Sequence, residues 1–332
     1  MSGPDQEGTS MRAVQWGGAG VVSVAEKPAP AASPGWAVVD VAYAGICGTD
    51  LHIWQGLHPR AKPGVVLGHE IVGWTAAETG GIAAGTPVFV NPSLSCGECV
   101  PCRTDLSHIC DRLGLLGIDV PGGLATQLAA PEGGLVALPP GLDLHTAALI
   151  EPTAVASRAL RRSGVRPEDA VHVVGAGPIG LLVGLLAQAT GCSAITFSEP
   201  IEHRAEAARQ LGFEVPARPP QAPVVFDCTG HPAVSPGVTG AVATGGTLVV
   251  VGIYPGSTPF DLQDVAFREL DVVGTRTYER PDIDAAVVAL ASGCIDPHVL
   301  ITSTVPLGDA AAAFERLGSG LELKVIIDAR KG

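Results

Sequence analysis

The chain has 332 residues and a net charge of −13, and 46% of its residues are hydrophobic. This composition excludes a disordered chain, and the length predicts two domains with sizeable cores. The acidic balance, without any basic run, argues against nucleic acid or an anionic membrane as a partner. Residues 1–10 predict a flexible extension without a secretory signal, and no apolar run is long enough to span a bilayer, so we expect a cytoplasmic protein.

The first part of the chain, from residue 11 to about 150, predicts an irregular domain of short strands. Its apolar and alternating runs are brief, and Pro and Gly interrupt them repeatedly. The predicted strands lie at 37–44, 65–72, 87–90 and 125–130.

Beyond residue 150, predicted strands alternate with predicted helices, which is typical of a doubly wound parallel sheet. The helices are predicted at 151–162, 178–190 and 201–211, and the strands at 170–174, 194–197, 224–227, 247–252 and 270–274. Two further helices, at 283–292 and 307–317, and a last strand, at 324–328, follow them.

One connection in this second part is unusually short. Between Leu211 and Val224, three prolines (Pro216, Pro219 and Pro220) forbid a regular helix. We therefore predict that one crossover of the sheet is reduced to a loop and that the edge of the sheet is altered there.

A glycine motif, Gly175-Ala176-Gly177-Pro178-Ile179-Gly180, joins the strand at 170–174 to the helix at 178–190. In this context the first Gly permits a tight turn, the second lets a pyrophosphate approach the backbone, and the third lets the helix pack closely. The helix N-terminus adds free N–H groups for the phosphates. We predict that the residues of this motif bind a dinucleotide; the alternative is a glycine-rich turn without a cofactor.

Glu199 ends the next predicted strand, 24 residues after Gly175. A carboxylate there suits the ribose 2′-hydroxyl and repels a 2′-phosphate, which favours NAD over NADP. Arg204, five residues further on, is a candidate for the opposite preference, because a guanidinium can accommodate a 2′-phosphate.

Four of the eight Cys residues lie within 15 residues and form what we call the four-Cys loop: Cys96, Cys99, Cys102 and Cys110. Four thiolates at this spacing can surround one Zn²⁺ tetrahedrally and leave no place for a substrate, so the predicted zinc is structural. A small iron–sulfur cluster and four unrelated thiols are the alternatives.

A second set of polar residues is spread over three segments. Cys47, Thr49, Asp50 and His52 lie in the first segment, His69 and Glu70 in the second, and Glu151 in the third. A catalytic zinc needs three protein ligands and an open position, and Cys47, His69 and a carboxylate are suitable ligands.

Together these motifs resemble the zinc-dependent medium-chain dehydrogenase/reductase superfamily, in its alcohol and polyol dehydrogenase branch. The resemblance begins at Met11 and rests on the four-Cys loop and on the segments AGICGTDLH, VVLGHEIVG, IEPTAVA, VVGAGPIGLL, FDCTG and ITSTVPLGDAAAAFERL. It is strongest toward sorbitol- and butanediol-type dehydrogenases. The resemblance implies a doubly wound parallel (Rossmann) sheet inserted into a mostly β, GroES-like catalytic domain. The catalytic domain would comprise 11–151 and a return over 275–332, and the NAD-binding domain 152–274.

The resemblance also implies roles for individual residues. Cys47 and His69 would bind the catalytic zinc, and either Glu70 or Glu151 would be the third ligand. Thr49 would exchange the proton of the substrate hydroxyl, and His52 would pass it on. Asp50 would fix the tautomer of the zinc-binding His.

The implied activity is hydride transfer between NAD(H) and a secondary alcohol, diol or polyol, or the corresponding ketone. Two zinc ions per chain are implied, one catalytic and one structural, as is a homodimer or homotetramer formed by edge pairing of the nucleotide-binding sheets. The alternatives are a zinc-free or catalytically altered NAD-binding relative and a zinc-ribbon regulatory protein.

Overall fold

The structure, a computed structural model, describes residues 10–331. The extension predicted at residues 1–10 therefore lies outside the described residues, except for Ser10, which begins the first strand. The chain forms two compact units: one contains the described residues up to Glu151 and those from Ile301 onward, and the other is Pro152–Leu300. No helix within the described range is long and apolar enough to cross a membrane.

The first unit begins with short strands, as its brief apolar runs predict. Strand 87–90 has the predicted bounds, whereas the strand expected at 65–72 begins only at Glu70, because Val66 makes no more than an isolated bridge with Gln15. The elements are β1 (Ser10–Gly18), β2 (Val21–Pro28), β3 (Trp36–Gly45), α1 (Gly48–Trp54), β4 (Glu70–Thr75), β5 (Pro87–Val90), β6 (Ser93–Leu94), α2 (Val100–Arg103), β7 (Gly114–Leu115), β8 (Gln127–Pro131), β9 (Leu135–Ala137) and α3 (Leu144–Ala147).

The second unit is a parallel sheet flanked by helices, so the predicted doubly wound architecture is confirmed. Its strand order is β11-β10-β12-β13-β14. Leu181 and Leu182 of its central helix are fully buried, as the apolar run at 178–190 predicts. The elements are α4 (Ile150–Ser163, which begins in the first unit), β10 (Ala170–Val174), α5 (Pro178–Thr190), β11 (Ala194–Ser198), α6 (Glu202–Gln210), β12 (Ala222–Asp227), β13 (Val242–Val250), α7 (Leu262–Phe267), β14 (Asp271–Gly274), α8 (Arg280–Ala291) and α9 (Pro297–Leu300).

The chain then returns to the first unit through β15 (Ile301–Pro306), α10 (Ala310–Gly318) and β16 (Lys324–Asp328). Strands β15 and β16 complete a seven-stranded sheet of order β15-β16-β3-β4-β5-β9, in which β8 also pairs with β3. This sheet places β16 next to β3, which pairs with β4 on its other side, although β16 follows both strands by more than 240 residues. Phe314 of α10 is fully buried in the same core.

The shortened crossover lies between α6 and β12, where the residues form turns and an irregular segment instead of a helix. The common doubly wound order has a sixth strand outside the position of β11. Here a single parallel bridge, Thr196 with Glu214, stands in that place. The edge of the sheet is therefore altered as the three prolines predict.

The second boundary between the units differs from the expected one. The return was expected from residue 275, but the second unit extends to Leu300. Ion pairs explain the difference, because Arg161 of α4 contacts both Glu279 and Asp282, which cap and begin α8. These bonds hold α8 in the second unit.

Candidate active site

Three of the predicted ligands converge in the first unit. Cys47, His69 and Glu70 each place a donor atom so that the three atoms lie within 4.8 Å of one another. Cys47 is the N-cap residue of α1, and Glu70 is the first residue of β4, directly after His69. The start of a helix and the start of a strand thus present a sulfur, a nitrogen and an oxygen donor to one point.

Asp50 ties these two segments together and is completely buried. Its carboxylate accepts hydrogen bonds from the backbone N–H of Cys47 at 3.0 Å and from that of Gly68 at 3.1 Å. Nδ1 of His69 lies 3.6 Å from the same carboxylate and makes no hydrogen bond with residues 10–331. Asp50 therefore fixes the backbone on both sides of the candidate ligands and faces one edge of the His69 ring.

Glu70 is held by a second charged residue. Nζ of Lys324, at the start of β16, donates to both carboxylate oxygens of Glu70 and to the carbonyl of Ile46. A Cβ on Gly45, which pairs with Glu70 across β3 and β4, would lie only 1.9 Å from a Glu70 oxygen. The Glu70 side chain thus occupies space that only a glycine leaves open.

The electrostatics of the cluster favour a cation. Burial lowers the pKa of His69, but the neighbouring Asp50 and Cys47 outweigh it and hold that pKa well above the usual value. The negative groups that raise this pKa would likewise stabilise a metal ion, which binds the neutral imidazole in place of the proton. Its sulfur, nitrogen and oxygen donors suit Zn²⁺ in a three-ligand site with an open position.

The other residues predicted for this site, Thr49, His52 and Glu151, lie in the same unit. The hydroxyl of Thr49 is 3.9 Å from the Cys47 sulfur, and His52 is exposed on the same helix. Glu151 is buried in the first turn of α4 and raises the pKa of Lys324 electrostatically, but it is not a member of the three-atom cluster.

The four-Cys loop forms a second cluster, with all four sulfurs within 4.8 Å of one another. Four sulfurs placed about 2.3 Å from one zinc in a tetrahedron lie about 3.8 Å apart. The observed separations are 4.0 Å for Cys96–Cys102 and 3.7 Å for Cys99–Cys110. The backbone N–H of Glu98 and the side chain of Arg112 lower the pKa of Cys96 to about 5.

The glycine motif has the geometry that dinucleotide binding requires. Gly175 has a φ of +99°, and a Cβ on Gly180 would lie 1.9 Å from the carbonyl oxygen of Gly175. A Cβ on Gly177 would meet nothing within 4 Å, which leaves room for a phosphate at the N-terminus of α5. Pro178 and Ile179 form the first turn of that helix.

Glu199 follows β11 and reaches the glycine motif. Its carboxylate accepts hydrogen bonds from the backbone N–H groups of Ala176 and Ile201, both at 2.9 Å. Arg204 lies half-buried on α6, and its Nε has no hydrogen-bond partner within the described residues. Glu199 therefore lies against the glycine motif, and its contact with a ribose stays a prediction.

The sequence patterns did not single out two further residues, Lys324 and Tyr254. The sequence places Lys324 at the start of an otherwise apolar strand, and this unusual position is the one feature that could have drawn attention to it. Tyr254 donates through its hydroxyl to Asp227, which is buried at the carboxyl end of β12. Because Asp227 also accepts from the N–H and hydroxyl of Thr229, this pair fixes two loops at the edge of the sheet where dinucleotides bind.

Comparison with known proteins agrees with this geometry. The family model described as alcohol dehydrogenase GroES-like domain matches residues 33–140, and the model described as zinc-binding dehydrogenase matches residues 178–292. A 2-dehydro-3-deoxy-L-galactonate 5-dehydrogenase of Pseudoalteromonas atlantica is 35% identical to this chain, and the match covers 96% of this chain and 98% of the relative. Fold and site thus define an oxidoreductase of the alcohol and polyol dehydrogenase class.

Solved structures extend the comparison to the whole fold. A zinc-binding dehydrogenase of Sinorhizobium meliloti bound to NADP is 28% identical, with a TM-score of 0.89 over 96% of this chain and 99% of that chain. An alcohol dehydrogenase of Escherichia coli CFT073 in complex with NADH is 25% identical, with a TM-score of 0.90 over 97% of this chain and 100% of that chain. The chain belongs to the zinc-dependent medium-chain dehydrogenase/reductase superfamily.

Proposed function

We propose that this protein is a zinc- and NAD-dependent dehydrogenase that oxidises a secondary hydroxyl group in a polyhydroxylated carbon chain or reduces the corresponding ketone. The observation that carries the proposal is the cluster of the half-buried Cys47 with the buried His69 and Glu70, beside the hydroxyl of Thr49. The name of the Pseudoalteromonas relative, a sugar-acid dehydrogenase, supports a polyhydroxylated substrate.

Cys47, His69 and Glu70 are the proposed protein ligands of the catalytic zinc. When bound, the zinc supplies a Lewis acid that lowers the pKa of the alcohol, and the nicotinamide accepts the hydride from the reacting carbon. Glu70 rather than Glu151 is the proposed third ligand, because only Glu70 belongs to the three-atom cluster. Lys324 does not prevent this, since an ionised carboxylate offers about four lone-pair sites.

The proton of the substrate hydroxyl leaves through α1. Thr49 is half-buried beside Cys47, and its hydroxyl can accept a proton from one side and donate to the other. His52 follows three positions later, so it lies on the same face of the helix, and it is exposed to solvent. We assign Thr49 to the exchange with substrate and His52 to the passage toward solvent. Asp50 acts only through the residues that it positions, because it is completely buried behind the backbone N–H groups of Cys47 and Gly68.

NAD is the proposed cofactor, bound by Gly175, Gly177, Pro178, Ile179 and Gly180 with Glu199 at the ribose. The carboxylate of Glu199 supports this preference, because a second negative charge from a 2′-phosphate would be repelled there. The expected result is that Glu199→Ala weakens NAD far more than NADP, measured by the KM of each cofactor. Equal losses would refute the ribose contact, and a gain in NADP use would assign Arg204 to the 2′-phosphate.

The proposed domain arrangement is a GroES-like catalytic unit into which the NAD-binding unit is inserted, with a structural zinc in the four-Cys loop.

We also propose a homo-oligomer that pairs second-unit sheets through β14. This strand is an edge of the sheet, and the neighbouring Leu262, Phe267 and Val272 are 72%, 79% and 43% exposed.

A screen of secondary alcohols, diols and polyols with NAD, followed by NADH absorbance, tests the proposed activity. Cys47→Ser should abolish turnover and remove one zinc per chain, whereas the exposed thiol variant Cys294→Ser should change neither. Unchanged turnover in Cys47→Ser would refute the catalytic zinc assignment.

A further inference from the structure

The segment that follows α1 carries an arginine with one edge fixed and one edge open. Nη1 of Arg60 donates to the carbonyl of Leu113 at 2.7 Å and lies 3.3 Å from the carboxylate of Asp119. Asp119 is itself held by the backbone N–H of Leu115 at 2.9 Å. The guanidinium is therefore positioned before any ligand arrives.

The opposite edge of this guanidinium is available. Nε and Nη2 of Arg60 make no hydrogen bond with any residue from 10 to 331, and the side chain is 40% exposed. A guanidinium edge presents two parallel N–H groups, which match the two oxygens of a carboxylate. Prior fixation of the side chain reduces the entropy lost when a ligand binds.

The segment that carries His58 and Arg60 lies next to segments of the candidate active site. Nδ1 of His58 accepts hydrogen bonds from the backbone N–H groups of Arg60 and Ala61, at 3.3 and 3.2 Å. The backbone N–H of Leu57 donates to the carbonyl of His52 at 2.8 Å, and a Cβ on Gly117, two residues before Asp119, would lie 2.5 Å from the carbonyl oxygen of Gly68, the residue before His69. The Arg60 segment thus lies near both the proposed proton path and the proposed metal ligands of the same unit.

We propose that Arg60 is a specificity-determining residue whose free edge binds a carboxylate group of the substrate, so that the preferred substrate is a polyhydroxy acid rather than a neutral polyol. The chain has a net charge of −13, which disfavours acidic substrates unless a local cation attracts them. An arginine with a free edge in this part of the protein therefore bears on the class of substrate. The inference rests on the proposed function and adds the chemical class of the substrate. His58 positions the segment through its two backbone hydrogen bonds and does not itself need to touch the substrate.

The test compares matched pairs of substrates that differ in the carboxylate. Six-carbon aldonates, such as gluconate and galactonate, are compared with the alditols of the same configuration, using the zinc-loaded protein and NAD. In Arg60→Gln we expect kcat/KM for aldonates to fall about 10- to 100-fold, chiefly through KM, and kcat/KM for alditols to stay unchanged. Arg60→Lys, which keeps the charge but loses the fork, should recover part of the aldonate activity. Lys62→Gln, which removes a neighbouring exposed charge, should match the unaltered protein.

Binding gives a readout that does not depend on turnover. Calorimetric titration of the NADH-loaded protein with an aldonate should show binding that Arg60→Gln loses and Lys62→Gln keeps. Equal losses on both substrate types, no effect of Arg60→Gln, or a preference of the unaltered protein for alditols would overturn the Arg60 assignment and leave the proposed function standing. Failure of every alcohol to reduce NAD, with aldonate binding still dependent on Arg60, would instead overturn the proposed function alone.

Discussion

Lys324 donates to both carboxylate oxygens of Glu70, at 2.6 and 2.8 Å, and both side chains are almost completely buried. Burial lowers the pKa of Lys324, but the charges of Glu70 and Cys47 outweigh it and raise that pKa above its usual value. The residue that carries the buried positive charge of the candidate metal site thus comes from the last strand of the chain.

The first prediction concerns this ion pair. Lys324→Met leaves a buried carboxylate without its partner, so the unfolding free energy of the metal-free protein should fall by about 3–5 kcal/mol. The loss should be smaller with zinc present, because a bound cation stabilises the folded state and compensates the charge of Glu70. Urea unfolding with chelator and with zinc measures the difference. Lys331→Met, at a position 72% exposed, is the control and should cost less than about 1 kcal/mol. An equal loss in both metal states would contradict the prediction.

The second prediction concerns the four-Cys loop. Cys99→Ser removes one of four sulfurs that lie within 4.8 Å of one another, so the protein should lose one of two bound zinc ions. The loop should also become sensitive to proteases, because a structural zinc contributes folding energy directly. Metal analysis by atomic emission, with limited proteolysis, checks both outcomes. Retention of two zinc ions in Cys99→Ser, or their loss in Cys294→Ser, would disprove the assignment.

The third prediction concerns Tyr254. In Tyr254→Phe, one oxygen of the buried Asp227 carboxylate loses its donor, which should cost about 1–3 kcal/mol of stability. The loops after β12 and β13 should become less ordered, so NADH should bind more weakly while metal content stays the same. NADH fluorescence titration measures the affinity. Gln221→Ala breaks a hydrogen bond to the carbonyl of Gly240 in the same unit and leaves Asp227 fully bonded, so it should retain NADH affinity. Similar affinities in Tyr254→Phe and the unaltered protein would exclude the positioning role.

The fourth prediction concerns His172, which is buried in β10 with both ring nitrogens hydrogen-bonded to Thr196 and Ser198. Burial lowers the pKa of His172 to about 4. Because the folded-state pKa is below the unfolded value of about 6.5, protonation favours unfolding, and stability is retained above that pH. As the pH falls from about 6.5 to about 4, the second unit should lose up to about 3 kcal/mol.

Thermal unfolding between pH 4 and pH 8 measures this loss in the unaltered protein and in His172→Gln. The variant should be less stable at pH 7.5, because its side chain cannot reproduce both hydrogen bonds, and its stability should decline less between pH 6.5 and 4. Parallel pH profiles for the two proteins would show that His172 does not titrate in this range.

Local patterns in the sequence predict much of the fold. The bounds of β10, α5, β5 and β16 are the predicted ones, because each is a distinct apolar run with Gly, Pro or charged residues at its ends. The sequence did not predict β15, whose alternating exposed and half-buried residues acquire strand geometry only by pairing with β16. The boundary at residue 301 also depends on tertiary contacts, since the ion pairs of Arg161 join α4 to α8 across 121 residues.

The candidate site likewise combines features that follow from the local sequence with features that only the folded chain determines. The spacing of the four Cys residues, and of Glu199 from the glycine motif, is a local property. The four sulfurs lie within 4.8 Å of one another, and Glu199 accepts a hydrogen bond from Ala176 of the motif. Which carboxylate approaches Cys47 and His69 is not a local property, because it depends on where β16 places Lys324, 254 residues from Glu70. The free edge of Arg60 likewise appears only when Leu113 and Asp119 fold against it.

The shortened crossover has a consequence for how copies of the chain associate. An uncovered edge strand is a template on which foreign strands add, and a sheet with two open edges can grow into a filament. At β11 the bridge from Thr196 to Glu214 occupies part of that edge, and the prolines that follow lack the N–H groups with which another strand would pair. Of the two edges of this five-stranded sheet, β14 is then the one left for the pairing proposed above, and pairing through one edge alone would close after two copies.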